Sequence, residues 1–215
     1  ICYNKVLEID PSNVEIYIYR GIIKGTQGDH LSAVKDYSKA ININPKDERA
    51  YANSAYSKGI LEDYQGAILD YSKVIEINPN NGIAYLNRGN MKSELDDSQG
   101  AIDDFTKVME PKILEYLKST SGTDYLPRIY YNIGNEKHNS GDLKGACEDW
   151  RKGAELGNDR CAERYEEYCQ RRYQSAFSEI KSEYPIDVLR KIYDEGCKSG
   201  AATKHTQFDQ TISFY

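Results

Sequence analysis

The sequence predicts an all-α protein, a right-handed superhelix of stacked antiparallel helix hairpins. Three observations carry that prediction. The line DYSKAININPKD at 36–47 returns almost unchanged as DYSKVIEINPNN at 70–81, a shift of 34 residues. Within each period the apolar residues step by three and four, which is helical spacing. Asn-Pro at 44–45 and 78–79 and Gly-Asp at 28–29 and 141–142 punctuate the segments, so each period holds two helices.

The period is visible residue by residue. Pro11, Pro45 and Pro79 recur at the same interval, as do Ala33, Ala67 and Ala101. An aromatic follows each alanine by one helical turn: Tyr37, Tyr71 and Phe105. Upstream, Tyr17, Tyr51 and Tyr85 precede Gly21, Ala55 and Gly89, and the pattern returns as Tyr130, Gly134, Ala146 and Trp150. The small residues let two helix backbones approach, and the aromatic fills the space between them. In the first period the helices are expected at about 14–26 and 30–44. One hairpin cannot bury its own apolar face, so neighbouring hairpins bury one another.

The elements follow in order. Residues 1–13 supply the second helix of a truncated repeat, and full repeats occupy 14–47, 48–81 and 82–115. An insertion at 116–126 precedes a further repeat at 127–160. A capping helix is expected over 161–184, and a short helix with a C-terminal tail over 185–215. In the break after DFTKV, Pro111 kinks the helix or restarts it, Ile113, Leu114 and Leu117 continue helically, and STSGTD at 119–124 reads as a loop. The insertion is either a tolerated surface corner or a device that reshapes a binding face. Arg20, Ser54 and Arg88, with Lys24, Lys58, Lys92 and Lys137, stand opposite Asp36, Asp70, Asp104 and Asp149. This predicts a ladder of inter-helix ion pairs, each worth about 0–1 kcal/mol if exposed.

Composition bounds the function. The net charge of -6 and the absence of a basic stripe argue against a nucleic-acid backbone as partner. No apolar run is long enough to span a bilayer, so membrane insertion is not expected. Five cysteines without a C-x-x-C pair read as buried reduced thiols in the cytoplasm, although the chain opens mid-pattern and a removed signal stays open. His138, close in sequence to Asp142 and Cys147, offers the one imaginable nucleophile pair, but it sits near the end of a first helix and Cys147 just inside the next. No phosphate loop or metal motif is present, so neither enzyme activity nor a cofactor is expected.

These spacings resemble the tetratricopeptide repeat, a 34-residue pattern of aromatic, Leu-Gly, Tyr, Ala, aromatic, Ala and Pro, although Arg20, Ser54 and Arg88 replace its Leu and Lys24, Lys58, Lys92 and Lys137 its second aromatic; the ending ELGNDRCAERYEEYC is similar to those of bacterial members. The resemblance implies a scaffold or adaptor whose first helices line a concave groove for a protein or peptide. Its groove would be lined by Tyr19, Ile22, Asn53, Tyr56, Leu86, Asn87, Asn90, Tyr131, Asn132 and Asn135. In the family an Asn at the register of 53, 87 and 132 often bonds a peptide backbone; the alternative is that these amides cap or solvate neighbouring helices. The chaperone-tail clamp is incomplete, because its first Lys register holds Ile18, Ala52, Leu86 and Tyr131. A second reading is self-assembly: the lone helix at 1–12 presents Tyr3, Val6 and Leu7, which another copy could cover in a homo-oligomer.

Overall fold

A computed structural model describes residues 2–170. Its helices are α1 (Cys2–Ile9), α2 (Val14–Thr26), α3 (His30–Ile43), α4 (Glu48–Ile60), α5 (Tyr64–Ile77) and α6 (Gly82–Ser93). They continue as α7 (Ser98–Val108), α8 (Pro111–Ser121), α9 (Leu126–Asn139), α10 (Leu143–Glu155) and α11 (Asp159–Arg164), followed by a π-helical turn at Tyr165–Gln170. Among the described residues there is no strand. Ile1–Glu163 form one compact unit and a second begins at Arg164. The element expected over 185–215, and most of the capping helix expected over 161–184, lie outside the described residues.

Antiparallel hairpins form from α2 with α3, α4 with α5, α6 with α7, and α9 with α10. The second helix of each hairpin packs on the first helix of the next: α3 on α4, α5 on α6, and α7 on α9. Stacking thus passes over α8, and the insertion does not interrupt the core. Second helices start at Asp29, Asp63, Asp97 and Asp142, whose carboxylates each accept the backbone N–H of the third helical residue. The turn before each cap needs a left-handed residue, supplied by Gly28, Glu62, Asp96 and Gly141.

Inside each hairpin the aromatic of the second helix lies on the small residue of the first. Tyr37, Tyr71, Phe105 and Trp150 are all buried. A methyl group at Gly21, Gly89 or Gly134 would fall 2.5, 2.7 and 2.5 Å from the rings of Tyr37, Phe105 and Trp150. Burying each such ring stabilises by about 2–3 kcal/mol, and glycine is what lets the backbone come that close.

The ion-pair ladder forms as the spacing requires, but it is more buried than the sequence suggests. Arg20 and Lys24 both hold Asp36, at 2.6 and 2.8 Å. Arg88 and Lys92 hold Asp104 in the same way, at 2.6 and 2.8 Å. Lys58 with Ser54 holds Asp70, and Lys137 holds Asp149. Asp36, Asp104 and Asp149 are buried beneath the cations. The value for exposed pairs therefore underestimates what breaking one would cost.

Two further expectations change. Pro111 is the first residue of α8, so the helix restarts rather than kinks. The loop expected at 119–124 begins only after Ser121, because the hydroxyls of Ser119, Thr120 and Ser121 bond carbonyls three and four residues back and stay within the helix. Gly122, with φ at 67°, then ends it. Cysteine chemistry also differs: Cys147 and Cys169 are each disulfide-bonded, while Cys161 is a buried free thiol. An odd cysteine count does not forbid bridges.

Candidate binding face

The expected groove residues stand on α2, α4, α6 and α9, and the structure divides them into two kinds. On α2 and α4 the side chains, apart from the half-buried amide of Asn53, are large, apolar and open to solvent. Tyr19 is 47% exposed and Ile22 36%, and Tyr56, one period after Ile22, is 58% exposed. Ile60, at the end of α4, adds another open aliphatic group.

On α6 and α9 the face is polar and closer-packed. Asn87, Asn90, Tyr131, Asn132 and Asn135 are half-buried. Leu86 does not join them. It is 5% exposed, enclosed in a cluster with Ile113 and Leu117 of α8 and Ile129 and Ile133 of α9, and no ligand could reach it. Packing against α8 and α9 thus removes one expected anchor from the surface.

The amides are partly used by the protein itself. Asn53 Nδ2 donates to the Arg49 carbonyl at 2.8 Å, and Asn132 Nδ2 reaches Asn90 Oδ1 at 3.5 Å. Asn87 hydrogen-bonds the Tyr71 phenol, whose burial pushes its pKa up to about 12. Each of these three amides is held in one orientation by such a bond. The remaining amide atoms keep hydrogen-bonding capacity at a fixed position.

Sequence reading passed over a pocket at the far end of this face. Arg128, Tyr131 and Asn132 of α9, with Gly157, Asn158, Asp159 and Arg160, line an open pocket of about 500 Å³. Its walls are tied together. Asn158 Nδ2 donates to the Pro127 carbonyl at 3.2 Å, while its Oδ1 accepts the Cys161 N–H and starts α11. Neither arginine has a hydrogen bond or ion pair within the described structure. The signal was available in the spacing: Arg160 lies two residues after a capping Asn, as Glu15 follows Asn13.

The imagined nucleophile pair fails on chemistry. Cys147 is in a disulfide, and His138 rests against the Trp150 ring at 5.6 Å. Burial holds the Cys161 thiol at a pKa of about 11, protonated near neutrality. No His, Cys, Asp and Glu cluster suited to a metal occurs among the described residues. None of their helices is long and apolar enough to cross a membrane.

Family models of the tetratricopeptide repeat match residues 14–47 and 48–81, and another matches 71–103. Residues 14–103 therefore carry tetratricopeptide repeats. Solved structures of similar fold include MamA, at 23% identity over 71% of this chain and 83% of that one, with a TM-score of 0.62. MamA from Desulfovibrio magneticus is similar at 18% identity over 72% of this chain and 81% of its own, with a TM-score of 0.61. The TPR2B domain of yeast Sti1, solved as a complex with pHsp70, matches at 22% identity over 58% of this chain and 96% of its own, TM-score 0.51. At these identities the likeness is one of fold. No curated protein matches the chain. Its tetratricopeptide repeats support a protein-interaction scaffold in general.

Proposed function

We propose that this chain binds an extended segment of a partner protein along its first helices and catalyses nothing. The observation that carries the reading is the open apolar set Tyr19, Ile22 and Tyr56 on successive first helices. Ile22 and Tyr56 occupy the same place in consecutive repeats, so they form a spaced row rather than scattered exposure. Rigid aromatic anchors supply contact area at low entropic cost, and amides already oriented by the protein can register a peptide backbone. The Sti1 domain, solved with a bound partner, supports this use of the fold.

The test is selection of a displayed library of random dodecapeptides on the immobilised chain, followed by anisotropy measurements on the enriched sequences. Tyr56→Ala and Ile22→Ala should each weaken binding about tenfold or more, with melting unchanged for Tyr56→Ala, whose side chain is more than half exposed. Equal binding by the two variants, or no enrichment over bare matrix, would sink the proposal.

One feature favours a second reading, self-association through residues 1–12. Leu7 is covered, but Ile9 of α1 is 85% exposed and Val6 36%. Light-scattering mass across a hundredfold concentration range decides it: a constant 24.5 kDa excludes self-assembly.

A further inference from the structure

We infer that the pocket between α9 and α11 is a subsite for a single carboxylate on the bound peptide. This rests on the groove reading above and adds the chemistry of the partner. The argument comes from comparing two equivalent seams. At the first seam, the second position of α2 is Glu15 and the second position of α4 is Arg49. Arg49 clasps Glu15 at two points, one of them 3.1 Å. At the last seam the same positions, counted from the repeat glycine in α9 and from the capping Asn158 in α11, hold Arg128 and Arg160. These two positions hold two guanidinium groups where the first seam has one guanidinium and one carboxylate.

Neither guanidinium forms a hydrogen bond or ion pair within the described structure. Asp159 also lines the cavity, so its charges sum to one excess positive, the complement of one carboxylate. Guanidinium forks match a carboxylate in plane and spacing, which an ammonium does not. The mounting is rigid as well. Asn158 and Cys161 both reach the Pro127 carbonyl, which fixes the backbone beside Arg160 to the backbone beside Arg128. Tyr131 and Asn132 carry the pocket into the groove, so a peptide lying on Tyr56 and Asn90 can place an acidic residue there. The chain as a whole is acidic, with net charge -6. Long-range attraction therefore does not recruit the acid, and recognition is by contact.

The enriched dodecapeptides test this directly, made with free and with amidated C-termini, and with each Asp or Glu changed to Asn or Gln. Selected sequences should be enriched in Asp or Glu at one position, and neutralising that residue should weaken binding about tenfold. Arg128→Gln with Arg160→Gln should give the same loss and bind the neutralised peptide no worse than the unchanged chain does. Because both arginines are exposed and unpaired, the variant folds normally, which melting checks. If amidation rather than side-chain neutralisation causes the loss, the carboxylate is the peptide's own terminus in the same pocket. Peptides that depend on Tyr56 but are indifferent to the arginine variant overturn the subsite and leave the groove standing. An absence of any peptide overturns both.

Discussion

The two ends of this stack use the same backbone for different chemistry. At the N-terminal end, the seam between α2 and α4 closes its own charges through Glu15 and Arg49, and the face beside it is apolar and open. At the C-terminal end, the seam between α9 and α11 leaves Arg128 and Arg160 facing a cavity, and the face beside it is amide-rich. Repetition fixes where the second position of each first helix lies. It does not fix what stands there, because that position is outside the packed core. A repeat protein can thus vary its binding chemistry along one surface while its interior stays periodic.

The contrast breaks if seam charges turn out to be structural. Asp104→Ala leaves Arg88 and Lys92 without the buried carboxylate that both hold, and should cost about 3 kcal/mol by denaturant unfolding. Glu15→Ala removes a pair whose side chains are about half exposed, and should cost less than about 1 kcal/mol, with the difference vanishing in high salt. Similar losses in the two variants would mean that the seams, like the ladder, belong to the core.

Alkaline pH separates the halves of the interior. Tyr37 and Tyr71 fill the first two hairpins, and burial raises both phenols to about 12. The corresponding rings of the later hairpins, Phe105 and Trp150, do not titrate. A phenol with a folded pKa above its unfolded value of about 10 favours the folded state while protonated. That contribution is complete below pH 10 and is lost as pH rises toward 12. Stability should fall over that window, and Tyr37→Phe with Tyr71→Phe should flatten the fall. A pH dependence untouched by those changes would place its origin elsewhere.

The turns give a smaller effect that contrasts the ends with the middle. Gly28 and Gly141 adopt the left-handed backbone in the first and last hairpins, while Glu62 and Asp96 adopt it in the two between. For a residue with a Cβ that conformation costs about 1 kcal/mol. Glu62→Gly should therefore stabilise by about 0.5–1 kcal/mol, and Gly141→Ala should destabilise by a similar amount. Thermal melts of the two variants should move in opposite directions.

How much of this was legible follows from the same division between core and surface. The hairpins, their buried aromatics and the ladder on Asp36, Asp70, Asp104 and Asp149 could be read because packing enforces period and residue size together. The length of α8 could not be: Ser119, Thr120 and Ser121 suit a loop or a helix, and their hydroxyls decide by bonding back to Tyr116 and Leu117. Leu86 was misplaced for a related reason. Its register is that of a groove residue, but a cluster shared by α8 and α9 encloses it. The amides at 53, 87 and 132 gave their positions and concealed that one end of each is already engaged. Arg128 and Arg160 escaped because the 45-residue step from Ala101 to Ala146 puts α9 out of the 34-residue count, so their equivalence to Glu15 and Arg49 shows only after α9 and α11 are aligned on Gly134 and Asn158.

The smallest expected effect bears most directly on that equivalence. If the two seams share one geometry, Arg128→Glu should place a carboxylate beside Arg160 as Glu15 stands beside Arg49. The chain should gain a fraction of a kcal/mol, less in high salt, because an exposed pair contributes little. Arg128→Gln, which removes one of the two like charges without supplying a partner, should recover only part of that gain. A charge-reversed variant no more stable than the neutral one would mean that the guanidinium of Arg160 cannot reach across, and the two seams would then be alike in sequence register but not in space.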